Sequence, residues 1–147
     1  MEIRVVDLQR EIRTDLEKIK AKARKILDVL ACREAELSIA LVDDERMSSL
    51  NWEYRRRKGA TNVLSFAMRE GEFGDVSPQL LGDVVISLPT AARQAVEAGI
   101  SLDAMLSRLL VHGILHLLGF DHEGDEDSER QMAEKTRELL ERLAAME

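Results

Sequence analysis

The chain has 147 residues, a formal net charge of -7, one cysteine, one Trp, one Tyr and three Phe. That length suits a single domain spanning 1–147 and burying about 68–70% of the surface of its unfolded chain, and one cysteine excludes an internal disulfide framework and fits a reducing cytosol. The negative charge argues against sequence-blind coating of nucleic acid, and so few rings exclude base stacking on an aromatic platform as the main mode of RNA binding. The N-terminal MEIRVVDLQR breaks each apolar run with a charge, so it reads as neither a signal peptide nor a span. The expectation is a soluble, cytoplasmic protein with no membrane partner.

Taken in order, residues 3–7 read as a short strand. A helix follows, its start marked by Thr14 and Glu17 as a capping box. Leu16, Ile19, Ala23, Ile26, Leu27 and Leu30 recur at helical spacing and predict one buried stripe, while Lys18, Lys22 and Lys25 share another face that reads as solvated surface or as a contact for a polyanion. Residues 36–42 alternate as a strand does, with Leu37, Ile39 and Leu41 on one side, and a strand, a helix and a second strand favour a parallel pair. Asp43 and Asp44 then cap a helix over 45–55. Its C-terminus runs into Arg55, Arg56, Arg57 and Lys58, which read either as a solvated turn or as candidate RNA contacts.

Residues 62–68 alternate again, with Leu64, Phe66 and Met68 on one face, and 69–78, with two glycines, a proline and several charges, predict a mobile loop. Residues 81–87 make the last strand. In it Asp83 is unusual, a carboxylate ahead of an apolar run, expected to bond nearby backbone rather than to do chemistry. Pro89 and Gly99 frame an alanine-rich helix. The helix that begins near Ser101 is apolar almost all round and belongs in the middle of the domain, and an amphipathic helix over 125–145 buries Met132, Leu139, Leu140 and Leu143. The pattern is α/β, a four-stranded mixed sheet with about five to six helices around it.

All three histidines fall in HGILHLLGFDH, residues 112–122. His112 and His116 lie four apart, about 6 Å along a helix axis and on nearly one face, where two imidazoles can reach one metal ion. Gly119 is where a helix with a left-handed C-terminal residue would stop, and His122 follows three residues later. Such a tripod leaves a fourth position open, as catalytic zinc sites do, whereas a closed structural site would want another ligand, usually a thiolate, and Cys32 is far away in sequence. The spacing matches the metzincin-like frame H-x-x-x-H-x-x-G-x-x-H, but Gly113 stands where a peptidase of that type carries its glutamate base. Asp121 is the nearest carboxylate, either a substitute base or, preferably, a group that orients a histidine. The expected cofactor is one Zn2+ per chain, with His116 among the catalytic candidates.

HGILHLLGFDH, together with LNWEYRRRKGATNVLSF at 50–66 and LGDVVIS at 81–87, resembles the YbeY family of bacterial endoribonucleases and rRNA maturation factors over most of the chain. The resemblance implies an α/β domain with a four-stranded sheet and helices around a cleft, and zinc held by His112, His116 and His122. It implies single-strand-specific RNA cleavage in 16S rRNA 3′-end maturation and ribosome quality control, with RNA of the small ribosomal subunit as substrate and ribosomal proteins or a ribosome-assembly GTPase as candidate partners. The family's functional arginine falls on Arg55, where a guanidinium can clamp phosphate oxygens and offset charge growing in a transition state. Relatives usually show glycine, lysine, aspartate and proline in the middle of that block; here stand Arg56, Arg57, Lys58 and Ala60, a more basic loop. Two other readings stand beside this one: a metzincin-like metallopeptidase, and a non-catalytic ribosome assembly factor with a structural metal.

Overall fold

The computed structural model describes residues 1–68, 79–120 and 125–146. The chain runs β1 (Glu2–Asp7), α1 (Leu16–Val29), β2 (Glu36–Val42), α2 (Asp44–Arg55), β3 (Val63–Ala67), β4 (Leu80–Ser87), α3 (Leu88–Ala98), α4 (Leu102–Leu117) and α5 (Glu126–Ala144). Among the described residues these are the four strands the hydrophobic periods predict and five helices, within the expected five to six. The loop expected over 69–78 lies outside the described residues, as do Asp121 and His122.

The sheet order is β1-β2-β4-β3. β1, β2 and β4 are parallel, and β3 pairs antiparallel with β4 at the edge. Because side chains alternate across a strand, each face of the sheet collects one register. Leu37, Ile39, Leu41, Val84 and Ile86 join the larger core with α1, α3, α4 and α5. Val42, Val85 and Leu64 face the other way and pack with Met47, against which Leu50 and Phe66 also lean. The sheet thus separates α2 from α4. Helix α4 touches α1, α3, α5, β3 and β4, the central place its all-round apolar sequence calls for. No single helix among the described residues is long and apolar enough to cross a membrane.

Two local expectations are corrected. The cap of α1 is Asp15, whose carboxylate accepts from the Lys18 N–H at 3.2 Å, so the Thr14–Glu17 capping box does not form. Two good acceptors stand side by side at 14 and 15, and the carboxylate also complements the positive end of the helix. Lys22 is not on a solvated stripe: it is 4% exposed and donates to the Asp103 carboxylate at 3.1 Å and to the Ser107 hydroxyl, pinning α1 to α4. The Asp83 carboxylate makes no hydrogen bond to backbone among the described residues. It stands on the open face of the sheet beside Arg4 and Ser38, and burial raises its carboxyl above the usual aspartate range.

Candidate metal centre

Helix α4 is fixed at both ends before it presents any chemistry. Ser101 caps its start, accepting from the Ala104 N–H at 3.0 Å. Leu106, Leu109, Leu110, Val111, Ile114 and Leu115 are buried around its circumference. His112 and His116, one turn apart, are half-buried, with ring centroids 4.4 Å apart and planes at 65°. Beside His112 opens a cleft of about 680 Å³, lined also by Met132, Thr136, Arg137 and Leu140 of α5.

Directly after the second histidine the backbone reverses. Gly119 takes φ 95°, its N–H donates to the His116 carbonyl at 3.0 Å, and the Phe120 N–H reaches back to the Leu115 carbonyl at 3.0 Å. That is a Schellman turn, the left-handed stop the spacing predicts at this glycine. His122 and Asp121 follow it, outside the described residues, so the structure brings together the first two histidines of the expected three. Among the described residues no three His, Cys, Asp or Glu side chains converge on one point. The pair itself suits a borderline cation such as zinc: two imidazole rings side by side on a buried helix, next to open space.

Gly113 shows why the peptidase glutamate has no place here. Its backbone lies against the sheet, and its carbonyl accepts from the Ser65 hydroxyl at 3.0 Å. A Cβ at this position would sit 2.8 Å from Val84 Cγ1 and 3.3 Å from Ser65 Oγ. A side chain there points into packed β3 and β4. Ser65 is a positioning residue that sequence reasoning passed over; its only signal was an inward-facing hydroxyl in an otherwise apolar strand.

Arg55 lies on α2, across the sheet from the histidines. The N-terminal end of α2 is tied down: the Asp43 carboxylate accepts from the Arg46 N–H at 2.8 Å, and the Asp44 carboxylate accepts from Ser87 Oγ at 2.7 Å, Thr90 Oγ1 at 2.6 Å and Arg93 at 2.8 Å. Burial pushes the Asp44 carboxyl up, but the hydrogen bonds from Thr90, Ser87 and Arg93 and the charge of Arg93 together hold it below the usual range. The other end of α2 carries Arg55, Arg56, Arg57 and Lys58, all exposed. Arg56 adopts the left-handed conformation at φ 55°, and the amide of Asn51, 5% exposed, donates to the Gly59 carbonyl at 2.9 Å, closing the turn.

The two groups meet at strand β3. On the α2 side, Tyr54 packs edge-on against Phe66 with centroids 5.1 Å apart. On the α4 side, Ser65 bonds to Gly113, next to His112. Arg55 and the histidine pair thus belong to helices on opposite faces of the sheet, each beside β3.

A family model described as Endoribonuclease YbeY matches residues 4–144. Three chains bearing the same name are similar over most of their length. That of Syntrophotalea carbinolica is 44% identical, covering 96% of this chain and 95% of its own. That of Geobacter metallireducens is 42% identical, covering 95% and 94%. That of Syntrophus aciditrophicus is 39% identical, covering 95% and 88%. The solution structure of a Thermotoga maritima protein superposes with a TM-score of 0.65 at 21% identity, over 98% of this chain and 90% of that one, which shows the same fold. With the match running from β1 to the end of α5 and identity this high over nearly the whole length, the chain belongs to the YbeY endoribonuclease family.

Proposed function

We propose that the chain is a zinc-dependent endoribonuclease that cuts unpaired RNA of the small ribosomal subunit, serving 16S rRNA 3′-end maturation and ribosome quality control in the cytoplasm. The observation that carries this reading is the pair of imidazoles 4.4 Å apart on the buried central helix, on the opposite face of the sheet from the helix that ends in four consecutive exposed cations. His112, His116 and His122 would hold the zinc, which when bound supplies Lewis acidity at a phosphoryl group.

The chain's own residues do the rest. Arg55 grips phosphate oxygens and offsets the charge that grows on them as the ester breaks. Arg56, Arg57 and Lys58 hold neighbouring phosphates, and Asp121 orients a histidine. A strand that touches both Arg55 and the histidines must bend over the edge of β3. Unpaired RNA does this readily, whereas a duplex, with a persistence length of about 50 nm for DNA, does not turn within one small domain. The closed packing at Gly113 weighs against the peptidase reading.

The test offers purified protein a single-stranded RNA, its duplex and casein, with and without chelator, beside His116→Ala and Arg55→Glu variants. The single strand is expected to be cut and the duplex and casein spared. Chelator and either substitution should lower cleavage at least about 100-fold, with Arg55→Glu keeping its metal. Cleavage indifferent to chelator and to both substitutions, or casein as the preferred substrate, would overturn the reading.

A further inference from the structure

The only Trp and the only Tyr of the chain both lie on the last turns of α2, and both are exposed, Trp52 at 49% and Tyr54 at 61%. The other large hydrophobic side chains exposed among the described residues are aliphatic: Met1, Val6, Leu8, Val96 and Met146. Rings left in water beside a run of four cations have no use in the core, since neither joins the buried clusters. A local cationic run is also out of keeping with a chain of net charge -7. The rings flank Glu53 and are followed directly by the cations; exposed rings next to a cationic run supply what an unpaired nucleic-acid strand needs, a flat apolar face for a base and positive charge for the flanking phosphates.

The patch is built in advance of any ligand. The Arg56 guanidinium lies 5.8 Å from the centre of the Trp52 ring, within cation–π range. The Arg56 N–H donates to the Trp52 carbonyl at 3.0 Å and the Arg57 N–H to the Asn51 carbonyl at 3.3 Å, so the basic run starts from a fixed turn under the ring. Tyr54 is steadied by its edge contact with Phe66. Preorganised rings lose little freedom on binding, and that is where stacking gains affinity.

We propose that Trp52 is a base-stacking site for single-stranded RNA, taking one unpaired base while Arg55, Arg56, Arg57 and Lys58 hold its neighbouring phosphates. The inference takes its substrate class from the endoribonuclease reading and adds where the unpaired state is recognised. A duplex keeps its bases stacked on each other and has none to offer. Composition rules out a multi-base platform but not one ring in the right place, and one ring is sequence-tolerant because every base has a π-face.

The lone tryptophan is its own reporter. Intact protein is titrated with a 2′-O-methyl oligonucleotide whose integrity is checked on a gel after each titration, with the same strand annealed to its complement, and with heparin, a polyanion without bases. The single strand should quench Trp52 emission, and the duplex and heparin should not. By anisotropy of a labelled single strand, Trp52→Ala should bind about ten-fold more weakly and Trp52→Phe should recover most of that loss. Equal quenching by heparin or duplex, or full affinity in Trp52→Ala, overturns the proposal. Cleavage is scored separately on ordinary RNA. Absent cleavage with single-strand quenching intact would end the endoribonuclease reading and leave the stacking site standing; cleavage by Trp52→Ala with unchanged KM would do the reverse.

Discussion

A side chain at position 113 has nowhere to go. Alanine there gains about 1 kcal/mol of helix propensity over glycine, yet its Cβ would press on Val84 Cγ1 at 2.8 Å, and overpacking of a filled core costs about 1–3 kcal/mol. Gly113→Ala is therefore expected to lower stability by about 1 kcal/mol in urea denaturation, with the m-value unchanged. Gly113→Glu, which also buries a carboxylate against Val84, should lose more than about 3 kcal/mol and gain no action on casein. A Gly113→Ala protein more stable than the parent would show that α4 stands further from the sheet than described. The residue that separates this chain from a peptidase is thus also the one that lets the histidine helix lie close against β3 and β4.

At the scale of elements, the cationic end of α2 is only as well placed as the helix that carries it. Asp44 anchors that helix to the end of β4 and the start of α3 through Ser87, Thr90 and Arg93. Its pKa is lowered in the fold, so the anchor contributes fully at pH values above the ordinary aspartate value, about 3.9, and is lost as pH falls through the lower folded value. Asp83 has the opposite sign. Burial raises its pKa, so the stability it contributes is complete below the ordinary value and lost as pH rises through the folded one. Urea midpoints measured from pH 3 to 7 should accordingly show Asp44→Asn less stable than the parent at neutrality, the gap closing toward pH 3. Asp83→Asn should be at least as stable at neutrality. A gap for Asp44→Asn that stays constant with pH would remove the ionised anchor from the account.

For the molecule as a whole, the strands, the central helix and the helix stops were legible because each rests on local pattern. Alternation at 36–42 and 62–68, the apolar run at 81–87, a helix start near Ser101, and glycines at 99 and 119 act through neighbours in sequence. What escaped depends on distant neighbours. Lys22 is buried because Asp103 and Ser107, on another helix, are there to receive it, and no periodicity in α1 announces them. The closeness at Gly113 depends on Ser65 and Val84, and the glycine of LGDVVIS has a similar cause, since a Cβ on Gly82 at φ 135° would collide with the Phe66 carbonyl. Of the site, the His112–His116 pairing and the turn at Gly119 were readable from spacing alone, whereas the separation of Arg55 from them by the sheet was not, because it follows from which face α2 covers.

The central claim is that three histidines hold one cation. Its most direct measurement is zinc content per chain, by elemental analysis after exhaustive dialysis, for the parent protein and for His112→Ala, His116→Ala and His122→Ala variants whose far-UV circular dichroism shows them folded. The account predicts about one zinc per parent chain and little or none in each variant. A zinc-free parent, or variants that keep the full complement, would contradict it.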